Sequence, residues 1–416
     1  MIRGILLGAW RLIPPAFRLQ LLSAYAWIAM PRIAPPATIR PGIITVVGPV
    51  RATTGVGEGA RLCYQALRDS RIPAAVLDFT APFRAPDHAF DVEAASVPAS
   101  PGGALIVHLN PPHFDVALAA MGRPVVEGRM IIGYWAWELP VVPDLWLGSL
   151  RRLHEVWVPS AFVAEAIRAA RPTSTPPIRV VPHPVPVPLC APLPRAHFEL
   201  PDDAFVVFMA FHMGAGFARK NPLAALRAFM RAFADTPSAV LVMSIKEPGD
   251  DAASYRRLLD EIGGTPNVRI LHDKLSRAEM NALLACSDVL LSLHRSEGFG
   301  LSLAEGMLLG KPVVATGWSG NLEFMTRSNA CLVDSVRVPV QDPTGPYRGS
   351  RQSWAEPDVE QAASFLRRLY EDRSFRRELG ARAHSDATTF FALERFRERI
   401  EPSLGSVIDA RSVPPG

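Results

Sequence analysis

The sequence predicts an α/β protein made of two doubly wound parallel-sheet domains in tandem. Three observations carry this expectation. Short apolar runs alternate with longer helical patterns. The alternation stops at a proline-rich stretch and then starts again. The 416 residues suffice for two domains of roughly 150–200 residues each. A hydrophobic fraction of 49% against 20% charged residues supplies material for two cores and excludes a chain disordered throughout.

The first segment, 1–39, is apolar and basic. Arg3, Arg11, Arg18, Arg32 and Arg40 fall in the first forty residues, with no acidic residue among them. Its most apolar run, 21–30, is far short of the ~20 residues needed to span a bilayer. Tyr25 and Trp27 between Arg18 and Arg32 suit a membrane interface. A helix packed on the first domain and a poor secretory signal are the alternatives.

The first domain is expected over 40–184. Runs 42–50, 74–79, 104–109, 130–137 and 155–158 are near-continuously apolar, as parallel strands covered on both faces are. A helical pattern at 58–69 follows the first of them. Residues 185–201 carry prolines too densely for a central strand or a continuous helix and read as a linker. The second domain, 202–387, repeats the alternation. Its strands are expected at 204–211, 239–245, 268–271, 288–293, 312–316 and 330–333, and its helices at 222–234, 252–262, 277–286 and 301–309. A helix over 388–403 is expected to return to the first domain. A cleft between two such sheets would bring their carboxyl-end loops onto one ligand.

The formal charge of +4 is small for this length, so general nucleic-acid binding is not indicated. Cys63, Cys190, Cys286 and Cys331 are far apart, with neither zinc-site nor disulfide spacing, and fit a reducing cytoplasm. No D-x-D string stands in a plausible place, so no metal is expected.

The strongest chemical signal runs from Arg295 to Gly306. It follows an apolar strand and opens a helix, so Gly298 and Gly300 let the backbone approach a ligand at the helix start. Such a start suits a phosphate, and Glu297 and Glu305 flank it as acceptors for sugar hydroxyls. The second signal is Phe217-Ala218-Arg219-Lys220-Asn221-Pro222, a cationic loop after the second domain's first strand in a chain with only four lysines. A cation there can neutralise a diphosphate leaving group. In the first domain Thr54-Gly55-Val56-Gly57-Glu58-Gly59 follows the first strand, with Asp78 at the end of the second. Alone this pattern also fits a nicotinamide site.

The string SEGFGLSLAEGMLLGKPVVAT (residues 296–316) resembles the signature of retaining glycosyltransferases of the GT-B fold, family 4, also called glycosyl transferases group 1. The resemblance is specific over 297–323 and around Lys220 and architectural elsewhere. It implies a GT-B fold of two Rossmann-like domains, the first facing the acceptor and the second the nucleotide sugar. It implies that Glu297 contacts the donor sugar and Glu305 the ribose. Gly298, Phe299, Gly300 and Leu301 would lie near the phosphates, Lys220 and Arg219 would meet the diphosphate, and Gly57 would border the donor. The following Gly317–Glu323 turn is similar to the family's next motif. The expected reaction is retaining sugar transfer from a nucleotide-diphosphate sugar to a glycan, lipid-linked or other acceptor in polysaccharide or glycoconjugate biosynthesis. No further cofactor is implied, and peripheral membrane contact through 1–38 would suit a lipid-linked acceptor.

Departures keep other readings open. Many family members place a histidine near the end of the strand at 130–137, where this chain has Trp135; His108, His113, His183 and His212 lie elsewhere. Tyr134, Trp135 and Trp137 could stack on a sugar or pack in a core. Glu138 suits a site or a plain surface. An NAD-dependent oxidoreductase using Gly55, Gly57, Gly59 and Asp78, and a non-catalytic sugar-binding protein of the same shape, are the alternatives.

Overall fold

The computed structural model describes residues 39–81, 102–172, 174–271, 275–343 and 345–408, with three single positions before them. The expected membrane contact of 1–38 lies outside the described residues. Among those described, no helix is long and apolar enough to cross a membrane.

The chain divides into two compact units. The first holds six parallel strands: β1 (Ile44–Gly48), β2 (Ala74–Asp78), β3 (Ala104–Val107), β4 (Met130–Tyr134), β5 (Glu155–Val158) and β6 (Ile178–Val180), in the order β2-β1-β3-β4-β5-β6. β1, β3 and β5 are buried along their whole length, which explains their unbroken apolar runs. The helix Gly55–Asp69 follows β1, its start capped by Thr54, whose Oγ1 accepts the Gly57 N–H at 3.1 Å. The helix Leu393–Leu404 also belongs to this unit and puts Phe396, Ile400 and Leu404 into its core. The expectation of a helix over 388–403 is thus shifted, because residues up to Phe390 complete the preceding helix, Arg373–Phe390.

The second unit has its own six-stranded parallel sheet of β7 (Phe205–His212), β8 (Ala239–Lys246), β9 (Val268–Leu271), β10 (Val289–Ser292), β11 (Val313–Thr316) and β12 (Cys331–Val333), ordered β12-β11-β10-β7-β8-β9. Phe205, Val207, Met209 and Phe211 alternate onto one face of β7 and pack with the helices Pro222–Phe233 and Val359–Glu371. A separate antiparallel pair, β13 (Ser335–Pro339) and β14 (Ser353–Pro357), follows β12. Neither this pair nor the short β6 is among the expected strands.

Two stretches group differently from the expected 40–184, 185–201 and 202–387. Trp137–Pro140 falls in the second unit, because Leu139 and Trp137 pack with Tyr347 and Trp354. The proline-rich stretch from Val185 does too. Its Arg195 donates to Ala204 O at 2.7 Å and Cys286 O at 3.0 Å and pairs with Asp288 at 2.8 Å.

Candidate active site

In the second sheet β10 lies beside β7, and the two run parallel. The strand order reverses there, so the connections leaving their carboxyl ends diverge and open a crevice, the place where such sheets bind ligands. The connection from β7 carries Arg219 and Lys220; that from β10 carries Glu297. Residues far apart in sequence meet because of strand order alone.

The loop after β7 turns at Gly216, whose φ of +94° suits glycine, and enters the short helix Phe217–Lys220. Asn221, at φ +51°, ends it, and Pro222 starts the next helix. Lys220 Nζ donates to Glu297 Oε1, and Arg219 Nη1 stands 3.1 Å from Glu297 Oε2. Arg219 is held by Ser296 O at 2.9 Å and Ala215 O at 3.0 Å. Glu297 is anchored through its backbone: its N–H bonds Ser319 Oγ at 2.8 Å, and its carbonyl accepts from Gly320 N at 2.8 Å. Gly320 lies so close that a Cβ there would meet Gly298 O at 2.1 Å.

Downstream, Gly300 takes φ +99° and begins the helix Leu301–Leu308 with no side chain capping it. The helix dipole puts partial positive charge at that start, and its first amides lack partners within the helix. The Phe299 side chain is buried against Phe324 and Phe391, leaving its backbone to line the turn. Glu305, buried, pairs with Arg277 at the start of the helix Arg277–Cys286.

Burial pushes the Glu297 carboxyl upward, but Lys220, then Arg219 and His294, outweigh it and hold its pKa at about 2. Burial lowers the Lys220 ammonium despite Glu297. Arg219 is likewise penalised by burial, yet Glu297, Tyr347 and Glu138 raise it above its ordinary range. His294, fully buried, bonds Ser292 Oγ at 3.1 Å and Asn321 Oδ1 at 3.2 Å, and burial lowers its pKa. The site is therefore a carboxylate between two cations, beside an uncapped helix start.

The structure brings together Glu297, Lys220, Arg219, Gly298 and the Gly300 turn, with Glu305 one helix turn further on. Gly57 lies in the first unit, where its amide serves the Thr54 cap and a Cβ would meet Pro49 O and Ala52 O at 2.5 Å. Asp78 is engaged with Thr80, N–H at 3.1 Å and Oγ1 at 2.5 Å. Trp135 is fully buried against Phe114 and Trp146, so of its two readings, sugar stacking and core packing, the structure shows core packing. His108 and His183 instead stack on Tyr134, at 4.3 and 5.0 Å between ring centres. Burial lowers His183 to about 4, against the pull of Glu58. Sequence reading missed Arg277 and Tyr347. Arg277 lies within the Ser276–Glu279 capping box, which marks the helix but not what its first residue reaches.

One group of metal-ligating side chains occurs among the described residues: His212, Glu247 and Asp250, at the ends of β7 and β8. His212 Nδ1 accepts the Gly214 N–H at 3.0 Å, which directs the ring proton to Nε2, 3.3 Å from Glu247.

Residues 207–344 match the family described as glycosyl transferases group 1. A curated relative, the D-inositol 3-phosphate glycosyltransferase of a Nocardioides strain, is 28% identical over 208 residues, 47% of this chain. The match spans only 40% of that relative's length. Among solved structures, Anabaena HepE with UDP and glucose superposes at a TM-score of 0.63, with 15% identity, over 88% of this chain and 99% of that one. The sucrose-phosphate synthase of Thermosynechococcus elongatus superposes at 0.62, with 16% identity, over 86% and 97%. At such identities the structures speak for the fold. The chain therefore has the GT-B fold, and the part of its second unit that carries the cation and carboxylate loops, residues 207–344, is similar to the group 1 glycosyltransferases.

Proposed function

We propose that the chain transfers a sugar from a nucleotide-diphosphate sugar to a glycan or lipid-linked acceptor, retaining the anomeric configuration, in polysaccharide or glycoconjugate synthesis on the cytoplasmic side. One observation carries the reading: Lys220 and Arg219 converge on Glu297 at the switch point of the second sheet, beside the uncapped start of Leu301–Leu308. Two cations on one carboxylate leave a net positive charge that, with the helix start, suits a diphosphate, and the ionised Glu297 oxygens keep lone pairs for sugar hydroxyls. As the bond from the sugar to the diphosphate breaks, charge gathers on the leaving oxygens, and Lys220 and Arg219 neutralise it. Glu305, steadied by Arg277, would accept from the ribose. No metal is required, because side-chain cations supply the positive charge. The first unit would receive the acceptor. That HepE holds UDP and glucose supports UDP-sugars as the first donors to try. The oxidoreductase reading is disfavoured by Asp78, whose Oδ1 is taken by Thr80 rather than open to a ribose.

The test is a thermal-shift panel of UDP, GDP, ADP and NAD on the wild type and on Glu305→Ala. A ligand at a hundred times its Kd stabilises by about 2.7 kcal/mol. One nucleoside diphosphate is expected to do so in the wild type and to lose most of the effect in the variant. Stabilisation by NAD alone, unchanged in Glu305→Ala, would overturn the reading.

A further inference from the structure

After β12 the chain leaves the parallel sheet and makes the β13–β14 pair, and the loop between these strands is built to deliver one phenol. Tyr347 N–H bonds Asp342 Oδ2 at 2.9 Å. Gly345 lies against the same carboxylate, where a Cβ would come within 2.3 Å of both oxygens. The Tyr347 ring, 6% exposed, packs edge-on to Trp137 at 5.7 Å and Trp354 at 6.4 Å. Its hydroxyl donates to Glu138 Oε2 at 2.8 Å.

Packing alone does not call for that hydroxyl. A phenylalanine would fill the same space, and burying a phenol with a carboxylate costs free energy unless the two are matched. The match has a consequence on the backbone of Glu138, whose carbonyl accepts the Ser296 hydroxyl. Ser296 precedes Glu297, and its own carbonyl takes Arg219 Nη1 at 2.9 Å. Burial, reinforced by Glu138, raises the phenol well above its ordinary range, so it remains a donor at every working pH.

We propose that Tyr347 is a positioning residue for the Glu297 carboxylate: through Glu138 it fixes Ser296, and through Ser296 it sets where Glu297 and Arg219 stand. The proposal rests on the reading of Glu297 as the donor-sugar contact, but its structural half is testable without any donor.

The experiment compares the wild-type full chain with Tyr347→Phe, Glu138→Ala and the double variant. The first readout is hydrogen exchange without ligand. The Glu297 and Gly320 amides, which bond Ser319 Oγ and Glu297 O, are expected to exchange about tenfold faster in each single variant, while β7 and β8 amides keep their wild-type rates. The double variant should be no worse than the more affected single one, as two members of one relay require. The second readout is donor turnover with the nucleotide sugar that the thermal-shift panel selects. There kcat should fall about tenfold, with the donor KM changing far less, as expected when the reacting group is misplaced rather than the donor released. Unchanged exchange at Glu297 and Gly320, additive losses in the double variant, or a uniform acceleration of all second-unit amides would overturn the proposal. A wild type that binds no nucleoside diphosphate would instead overturn the proposed function, and the exchange data would still decide the positioning role.

Discussion

Glu297 concentrates the electrostatics of the second unit in one side chain. Its folded pKa of about 2 lies below the ordinary 4.5, so ionisation favours the folded state. The sign follows directly: the stability it contributes is present above about 4.5 and is lost as pH falls toward about 2. Burial shifts the Lys220 ammonium downward too, against the pull of Glu297. Urea midpoints measured from pH 6 down to pH 2.5 should fall steeply for the wild type. They should fall less for Glu297→Gln, which has no such proton to gain. At neutral pH the variant should be less stable than the wild type by roughly 3 kcal/mol, because two buried cations lose their counter-charge. A variant that tracked the wild type through the acid range would show that the titration lies elsewhere. Donor turnover by Glu297→Gln should drop by at least about a hundredfold, given that one charge facing the transition state contributes on that scale.

Among the elements, the turn at Gly317–Glu323 is the tightest. Gly320→Ala would drive a methyl into Gly298 O and Phe299 N, both backbone atoms with nowhere to go. The variant is expected to lose about 1–3 kcal/mol in urea denaturation. It should also lose nucleotide stabilisation in thermal shift, since the Glu297 loop must move with it. Intact nucleotide binding would mean that the turn can open without disturbing the carboxylate. Such elements also show what a sequence can and cannot reveal. The helices Ala252–Ile262 and Arg277–Cys286 were legible as helical patterns between apolar runs, and β7 and β8 from unbroken apolarity. The Gly298–Gly300 turn was legible because its chemistry is local. β13 and β14 were not, since an antiparallel pair among prolines, serines and arginines has no local pattern and is set by register with a distant partner. The same holds for the site. Glu297 and Lys220 stand out as motifs, whereas Arg277 meets Glu305 across 28 positions and Tyr347 meets Glu138 across 209. Such meetings follow from strand order and packing, and no window of sequence contains them.

For the whole molecule, each unit has its own core, and the first is assembled from both ends of the chain. Phe396, Ile400 and Leu404 are each at most 2% exposed, so the helix Leu393–Leu404 is part of that core rather than an appendage. Its Ser403 hydroxyl also reaches the buried Glu155 at 2.8 Å. Ending the chain after Ala392 removes three side chains that contribute about 1.5–3 kcal/mol each when buried. Denaturant unfolding of that truncated chain should show the first unit melting early while the second, followed by nucleotide stabilisation, keeps its midpoint. Equal loss in both units would show that they unfold as one. The placement of this helix also imposes an order of events on synthesis. A ribosome releases β1–β6 first, but the side chains that complete their core emerge only after the whole second unit has been made. Until then the apolar surface that Phe396, Ile400 and Leu404 cover in the finished unit has no partner from this helix.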